Sequence, residues 1–375
     1  MARRLRRDDY TVGWICALPV ELAAAEEMLD EEHEALEQDE HDTNIYSLGR
    51  IGEHNVVIVC LPAGLIGNNP AAAVATQLRS TFRLVRFGLM VGIGGGVPSA
   101  EADIRLGDIV ISQPHLNHGG VIQYDFGKAT PSGFQRTGSL NSPPTILLGA
   151  VNKLRSNHLR RKTKLVEYIS KLARLPEFTR EAAGPDVLFE AECSHEEDPT
   201  SKSTCQSCSA DSKAVDRKVD RPQRSSEEPV IHYGTIASGN QVIKHAKERD
   251  AISKQFSGVL CFEMEAAGLM NSFPCLVIRG ICDYADAHKN KKWQPYAAGT
   301  AAACAKEVLS LIPQAEIAKA RAVNEMTAVQ DQESRLEGES KPGAGPVFQS
   351  YGPVHGTNVL QGQTIYGDST TLNFS

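Results

Sequence analysis

Three short segments of the sequence carry groups that could cleave a bond between a sugar and a nitrogenous base. Such a reaction passes through an oxocarbenium-like state, so it needs an acid at the departing base, an anchor for the sugar hydroxyls and a nucleophile on the opposite face. The segments are 91–97, 261–267 and 279–283. In each of them an apolar run meets glycines or carboxylates.

Asp283 follows an apolar run that predicts a strand over 274–281. Ligands of open α/β sheets bind at the carboxyl ends of the strands. A carboxyl group shielded from water at such a place could protonate a purine at N7, as a general acid. The alternative interpretation is an aspartate that only caps the following turn or helix.

Glu263, Met264 and Glu265 follow another apolar run, at 259–262, where a strand is expected to give way to a helix. Glu265 could accept hydrogen bonds from both ribose hydroxyls while Met264 packs against the sugar. Glu263 belongs to the same candidate sugar site. Alternatively, both glutamates are ordinary first-turn acids favoured by the helix dipole.

Gly94 and Gly95 belong to a glycine cluster after the apolar run at 87–93. Because they lack a Cβ atom, their backbone N–H groups can approach a sugar, a phosphate or an attacking water closely. The cluster is not a dinucleotide-binding fingerprint, since its spacing differs and Pro98 follows at once. Glycine turns are common, so this segment is informative only beside the other two.

The elements that must position these groups indicate an α/β domain. Apolar strands alternate with helices, which favours a mostly parallel sheet with helices on both faces. We expect this domain over 8–315, with a surface insertion at about 185–228, where the sequence turns rich in Ser, Lys and Glu. A helical linker is predicted over 316–337. Strands are predicted at 10–17, 45–51, 55–61, 87–93, 107–111, 230–237, 259–262 and 274–281. A helix is predicted to start at Pro19, and others at 70–82, 144–155, 165–172 and 295–311.

The last segment, 338–375, is rich in Gly, Ser, Asn and Gln and lacks the apolar content for a core of its own. A flexible terminus is one interpretation of such a composition. A self-associating segment is the other, because polar strands with little charge can stack in register.

Composition excludes several classes of protein. The net charge of -7 argues against a general nucleic-acid binder, and no apolar run is long enough to predict a membrane span. Nine cysteines, several inside apolar runs, indicate reduced thiols in a cytoplasmic protein. In the insertion, four residues with loosely zinc-like spacing could bind a metal ion that holds the loop together: Cys193, His195, Cys205 and Cys208. The chemistry proposed above needs no cofactor and no metal.

Together the three segments resemble the nucleoside phosphorylase/nucleosidase superfamily, from about residue 10 to residue 313. The resemblance implies a single domain with a mixed central sheet, Asp283 as the general acid at the base, and Met264 with Glu265 at the ribose. The segment 13–21 resembles the start of the hydrolytic branch, in which the residue matching Glu21 activates water. Relatives are oligomers, so the resemblance also implies at least a homodimer.

The attacking group decides between hydrolysis and phosphorolysis. Phosphorylases of this superfamily hold phosphate with an arginine in the first loop, yet no Lys or Arg lies between Arg7 and Arg50. Water is therefore the favoured nucleophile, and a phosphate-dependent phosphorylase is the alternative. A non-catalytic assembly module is an alternative of another class, which the joint presence of Glu21, Glu265 and Asp283 argues against.

The loop 238–243 matches the base-contacting loop of the superfamily, with Asn240, Val242 and Ile243 as candidate substrate contacts. Val242 departs from the hydrolytic relatives, which place a stacking aromatic there, and Cys282 stands where a serine is usual. Base preference therefore does not follow from the resemblance.

Two further stretches, 118–128 and 283–293, resemble a fungal subgroup found at the head of multidomain immune-type, NLR-like proteins. Some relatives of that type cleave adenine from nucleotides, including ATP, as a defensive response, so the resemblance implies such a substrate. Three lysines are candidate contacts for a 5′-phosphate, as point charges, although solvated surface lysines are the alternative for each: Lys244, Lys289 and Lys291.

Overall fold

The computed structural model describes residues 3–131, 133–192, 217–289 and 291–319. The chain divides into two compact units, Met1–Val329 and Gln330–Ser375, and every residue described below belongs to the first. The tail, most of the predicted linker and the four candidate zinc ligands lie outside the described residues. Among the described residues, no helix is long and apolar enough to cross a membrane.

Twelve strands and eight α-helices build the described part of the chain. The strands are β1 Val12–Cys16, β2 Glu31–Glu32, β3 Tyr46–Ile51, β4 His54–Cys60, β5 Phe87–Gly96, β6 Ile109–Ser112, β7 Val121–Gln123, β8 Gly127–Thr130, β9 Gly133–Arg136, β10 Ile231–Ser238, β11 Val259–Glu263 and β12 Cys275–Asp283. The helices are α1 Pro19–Glu27, α2 Asn68–Thr81, α3 Thr145–Leu159, α4 Leu165–Ser170, α5 Arg180–Ala183, α6 Ala246–Gln255, α7 Gln294–Ser310 and α8 Gln314–Lys319. A single 3₁₀ turn, Ala266–Gly268, follows β11.

The central sheet is mixed, and its strand order is β11-β10-β6-β12-β5-β1-β4-β3-β2. β5 pairs in parallel with β1 and β12, while β12 pairs antiparallel with β6. β11, at one end of this order, also pairs antiparallel with the last glycines of β5. The sheet therefore curls so that β5, β11 and β12 end at the same place. The predicted α/β fold with a mixed central sheet is confirmed.

Alternation along the strands divides the core between the two faces of the sheet. Trp14 packs with the core that includes α1, α3 and α7, while Ile15 packs with the core that includes α2. α7 is the most deeply buried helix, with Ala and other small residues along most of its length. Both faces are covered, as the alternation of strands and helices predicts.

The element boundaries differ from the prediction at two glycines with positive φ. α2 begins at Asn68 rather than at 70, because Gly67, with φ 104°, turns the chain into the helix. β6 begins at Ile109 rather than at 107, because Gly107 has φ 89°. Such values suit glycine and end or start a regular element.

The two flanks of the insertion pair with each other. Glu190 N donates to Arg217 O at 3.0 Å, and Val219 N donates to Leu188 O at 2.9 Å. We call these paired flanks, 186–192 and 217–224, the insertion stem. The segment between them, 193–216, lies outside the described residues.

Candidate active site

A cavity of about 170 Å³ opens where β5, β11 and β12 end beside the start of α1. It brings together most of the residues that the sequence predicted for the site. Its lining includes Glu21, Gly94, Gly95, Val242, Ile243, Glu263, Met264, Glu265, Asp283 and Lys289.

Arg279, in the middle of β12, lies behind this cavity and is 1% exposed. Its guanidinium forms a short ion pair with Glu263, and its Nη2 lies 3.4 Å from Glu265 Oε2. The charges of Glu263, Glu265 and Glu21 raise its pKa although burial alone would lower it. Arg279 therefore stays charged and holds the carboxyl groups of Glu263 in β11, of Glu265 just after it and of Glu21 in α1 around one cation.

Glu263 and Glu265 have different surroundings. Glu263 accepts hydrogen bonds from the backbone N–H groups of Glu265, at 3.1 Å, and Ala266, at 3.0 Å, so it caps the turn that follows β11. Among the described residues, Gly67 N is the one donor to Glu265 Oε1, at 3.3 Å. Glu263 thus behaves as an acid that caps the turn, as the alternative interpretation expected. Glu265 still has oxygen lone pairs that can accept hydrogen bonds from a ligand.

Burial raises the pKa of Glu265 to about 7, with Arg279 opposing the shift and the neighbouring Glu263 and Glu21 adding to it. Burial thus makes this carboxyl group easier to protonate than an exposed glutamate. Its carboxylate form can accept two hydrogen bonds from a vicinal diol, and a bound diol would favour that form.

Glu21, in the first turn of α1, is 4% exposed and held by three backbone donors. Oε2 accepts from Ala17 N at 2.7 Å and Leu18 N at 3.0 Å, and Oε1 accepts from Ile93 N at 2.8 Å. Burial raises its pKa despite Arg279 and these hydrogen bonds. A fixed carboxyl with a raised pKa that still lines the cavity is suited to take a proton from water near neutral pH.

The glycines of β5 allow the other groups to approach. A Cβ atom on Gly92 would lie 2.3 Å from Glu21 Oε1 and 2.5 Å from Arg279 Nη1. One on Gly95 would lie 2.8 Å from Asp283 Oδ1, and one on Gly94 only 2.4 Å from Cys261 Sγ. These positions must lack side chains because β11, β12 and α1 converge on them.

Asp283 ends β12 and lines the cavity with its side chain 12% exposed. Its Oδ1 accepts from Ala285 N at 2.8 Å, so it does cap a turn, and the Lys289 ammonium lies 3.2 Å from the same oxygen. Cys282 Sγ lies 3.2 Å from Oδ2. Asp283 therefore both caps a turn and lines the cavity.

The loop after β10 supplies one wall. Val242 and Ile243 line the cavity, and Val242 is 50% exposed. Asn240 instead accepts from Asn68 N at 3.0 Å and donates its own N–H to Asp125 at 2.7 Å, so it ties this loop to α2 and to the segment after β7. Its predicted substrate contact stays a prediction.

The three lysines predicted for a 5′-phosphate are not equivalent. Lys289 lines the cavity and contacts Asp283. Lys244 and Lys291 are exposed, and neither is among the described residues that line the cavity. Within the described ranges, no cluster of three or more His, Cys, Asp or Glu side chains could hold a metal ion.

Sequence reasoning missed the part played by Arg279. Its signal was present, since it is the one charged residue in the apolar run 275–282. A buried arginine inside a strand requires partners, and the structure pairs Arg279 with Glu263 and Glu265.

Comparison with known proteins agrees with this geometry. Residues 11–310 match the phosphorylase superfamily. The chain belongs to that superfamily. The family expected from the three segments is thus confirmed, and it covers nearly all of the described residues of this phosphorylase-superfamily domain.

Among its relatives, a nucleotide-binding leucine-rich repeat (NLR)-like protein of Hyaloscypha variabilis is 50% identical over 313 residues, which are 83% of this chain. The chain spans only 30% of that relative's length. A 5′-methylthioadenosine/S-adenosylhomocysteine nucleosidase of Mycobacterium bovis is 25% identical, over 81% of this chain and 97% of its own.

The fold is also that of a solved 5′-methylthioadenosine/S-adenosylhomocysteine nucleosidase from S. pneumoniae. The two are 19% identical, with a TM-score of 0.51 over 81% of this chain and 100% of the other.

Proposed function

We propose that this domain is a purine N-ribosyl hydrolase that releases the base, adenine, from a nucleoside or nucleotide. The observation that carries the proposal is the arrangement around one cavity of Glu21, Glu265 and Asp283. They supply a base for water, an acceptor for the ribose hydroxyls and an acid for the departing purine. The nucleosidases among the relatives support the same chemistry.

In the proposed reaction Glu21 takes a proton from water as the water attacks C1′ of the ribose. The C1′–N9 bond breaks, and its electron pair enters the purine, which gains a proton at N7 from Asp283, the general acid that lines the cavity. Glu265 holds the ribose hydroxyls through the oxocarbenium-like state. The products are ribose, or a 5′-substituted ribose, and the free base.

Adenine fits the acid end because the second oxygen of the Asp283 carboxyl group can accept a hydrogen bond from its 6-amino group. Water rather than phosphate fits the opposite end. Among the described residues that line the cavity, Lys289 is the only lysine or arginine, and it contacts Asp283.

The wider setting belongs to the same proposal. The proposal includes a defence role with ATP among the substrates, and what supports it is the resemblance to NLR-like proteins, one of which is 50% identical to this chain. Exposed Lys244 and Lys291 are the proposed point charges for a polyphosphate that extends from the cavity. A cytoplasmic homo-oligomer, at least a dimer, stays a prediction, as does self-association through the tail.

The test is chromatography of purified protein incubated with ATP, AMP, adenosine, inosine and methylthioadenosine, with and without inorganic phosphate. We expect free adenine without phosphate, and the preferred substrate identifies the 5′ group. Release that requires phosphate would make the protein a phosphorylase. No base from any substrate would favour the assembly module.

Two variants assign the roles. Glu21→Gln and Asp283→Asn are expected to lower kcat by about 10²- to 10⁴-fold. Glu27→Gln is the matched control, because Glu27 lies on the same helix but pairs with Arg174 on the surface. Equal rates for Glu21→Gln and Glu27→Gln would refute the role of Glu21.

A further inference from the structure

Tyr284, the residue directly after Asp283, is fixed by contacts from outside the cavity. Its side chain is buried. Its hydroxyl donates to Asp186 Oδ1 and accepts from Arg221 Nη2 at 2.9 Å. Arg221 Nη2 also donates to Asp186 Oδ2 at 2.7 Å, so the three side chains close a ring of hydrogen bonds. The side chains of Arg221 and Asp186 are 13% and 16% exposed, so water competes little for these bonds.

Asp186 and Arg221 come from the two flanks of the insertion stem. They lie 35 positions apart in sequence, and the backbone pairing of the flanks brings them together. The stem makes a second contact nearby, where the ring of Phe189 stacks on His288 with centroids 3.9 Å apart and planes at 17°. The segment that the sequence marks as a surface insertion therefore contacts both ends of the loop 284–288.

The backbone that follows Asp283 adopts a conformation that needs support from its surroundings. Ala285 has φ 50°, in the left-handed region that residues with a Cβ atom rarely occupy. In this conformation its N–H donates to Asp283 Oδ1 at 2.8 Å. The orientation of the Asp283 carboxyl group is thus tied to a strained backbone. Such a backbone persists only where neighbouring contacts hold it.

We propose that Asp186 is a positioning residue for the cleavage reaction. This inference rests on the proposed function, in which Asp283 is the general acid. Asp186 and Arg221 fix the Tyr284 side chain, and Tyr284 holds the turn that sets the direction of the Asp283 carboxyl group. Asp186 is not among the described residues that line the cavity. It therefore acts on the placement of the acid and not on the binding of the substrate.

The test measures kcat and KM for adenine release by wild type, Asp186→Ala and Tyr284→Phe, with the preferred substrate of the panel. Each variant removes hydrogen bonds between the stem and the loop, and a small displacement of a catalytic group lowers the rate. We expect kcat to fall about 10- to 100-fold and KM to stay within about twofold of the wild-type value. The loss should not exceed that of Asp283→Asn, because Arg249 Nη1 still donates to Tyr284 O, at 2.8 Å.

A double variant separates positioning from a general structural effect. If Asp186 acts through the carboxyl group of Asp283, then Asp186→Ala should lower kcat by less than about twofold when Asp283→Asn has already removed that group. A further tenfold loss in the double variant would overturn the proposal. Should Asp186→Ala fail to fold, Tyr284→Phe takes its place in the same combination, with the same expected result.

Asp103→Asn is the matched control, because Asp103 also pairs with Arg221, at 3.7 Å, but through the other terminal nitrogen. It should keep the wild-type kcat, and a tenfold loss in this control would overturn the proposal, since any weakening of Arg221 would then lower the rate. A wild type that releases no base from any substrate refutes the proposed function, and the inference falls with it. An active wild type with an unchanged kcat in Asp186→Ala refutes the inference alone.

Discussion

Replacing Arg279 with methionine removes the cation that the site is built around. The guanidinium is 1% exposed, and it pairs with Glu263, whose side chain is also 1% exposed. Methionine fills a similar volume, so the main loss is electrostatic. Breaking a buried ion pair by removing one partner costs about 3–5 kcal/mol, because the other charge is left uncompensated. We expect the free energy of unfolding to fall by that amount.

The assay is urea unfolding followed by fluorescence, with Glu263→Gln and the double variant Arg279→Met/Glu263→Gln beside the single variant. Glutamine keeps an oxygen for the backbone donors at Glu265 and Ala266 but carries no charge. If the lost stability comes from an unpaired carboxylate, the double variant should be more stable than the sum of the single losses predicts, by about 0.5–3 kcal/mol. Strict additivity would refute this reasoning.

Three further predictions test packing, ionisation and stability. In Gly92→Ala a methyl group would lie 2.3 Å from Glu21 Oε1, so we expect the free energy of unfolding to fall by about 1–3 kcal/mol and base release to be lost. The control is Gly149→Ala, because a methyl group there has nothing within 4 Å. Equal urea midpoints for the two variants would contradict the argument. For wild type, kcat/KM should rise with pH and level off above about 7, because the pKa of Glu265 is raised to about 7 and its carboxylate binds ribose. An unchanged profile in Glu265→Gln would contradict that assignment. Burial lowers the pKa of His54, whose Nε2 contacts Ile312 O at 2.8 Å. Its contribution to the free energy of unfolding is therefore present above its pKa in the unfolded chain, about 6.5. That contribution is lost as the pH falls through its lower pKa in the folded protein. The slope of unfolding free energy against pH, at most about 1.4 kcal/mol per pH unit from one group, should be smaller in His54→Gln, and identical slopes would be contrary to the prediction.

The parts of the fold that follow from sequence are those with strong local patterns. β5 and β12 are buried on both faces and were recognisable as continuous apolar runs. The unit of β1 and α1 was recognisable from its apolar strand and from Pro19 at the start of the helix. The position of Asp283 at the end of β12 could be predicted because the end of an apolar strand shows in the neighbouring residues.

Other parts lack such a pattern. The hairpin of β8 and β9 is mostly exposed, so its residues show no alternation of apolar and polar side chains. Helix α6 is polar along most of its length and was missed for the same reason. The pairing of β11 with the end of β5 depends on contacts between residues more than 160 positions apart in sequence. No local pattern reveals such a contact, yet it is what brings Glu265 and Asp283 to one cavity.

The charge around the cavity connects the choice of nucleophile with the choice of substrate. Four carboxylates meet two cations there: Glu21, Glu263, Glu265 and Asp283 against Arg279 and Lys289. Besides burial, the charges of Glu263 and Glu21 raise the pKa of Glu265, and these carboxylates would repel an inorganic phosphate, whereas a water molecule enters without that cost. The same repulsion acts on an anionic 5′ group. A nucleotide substrate must therefore keep its phosphates outside the cavity, on the solvent side, while its base and ribose occupy it.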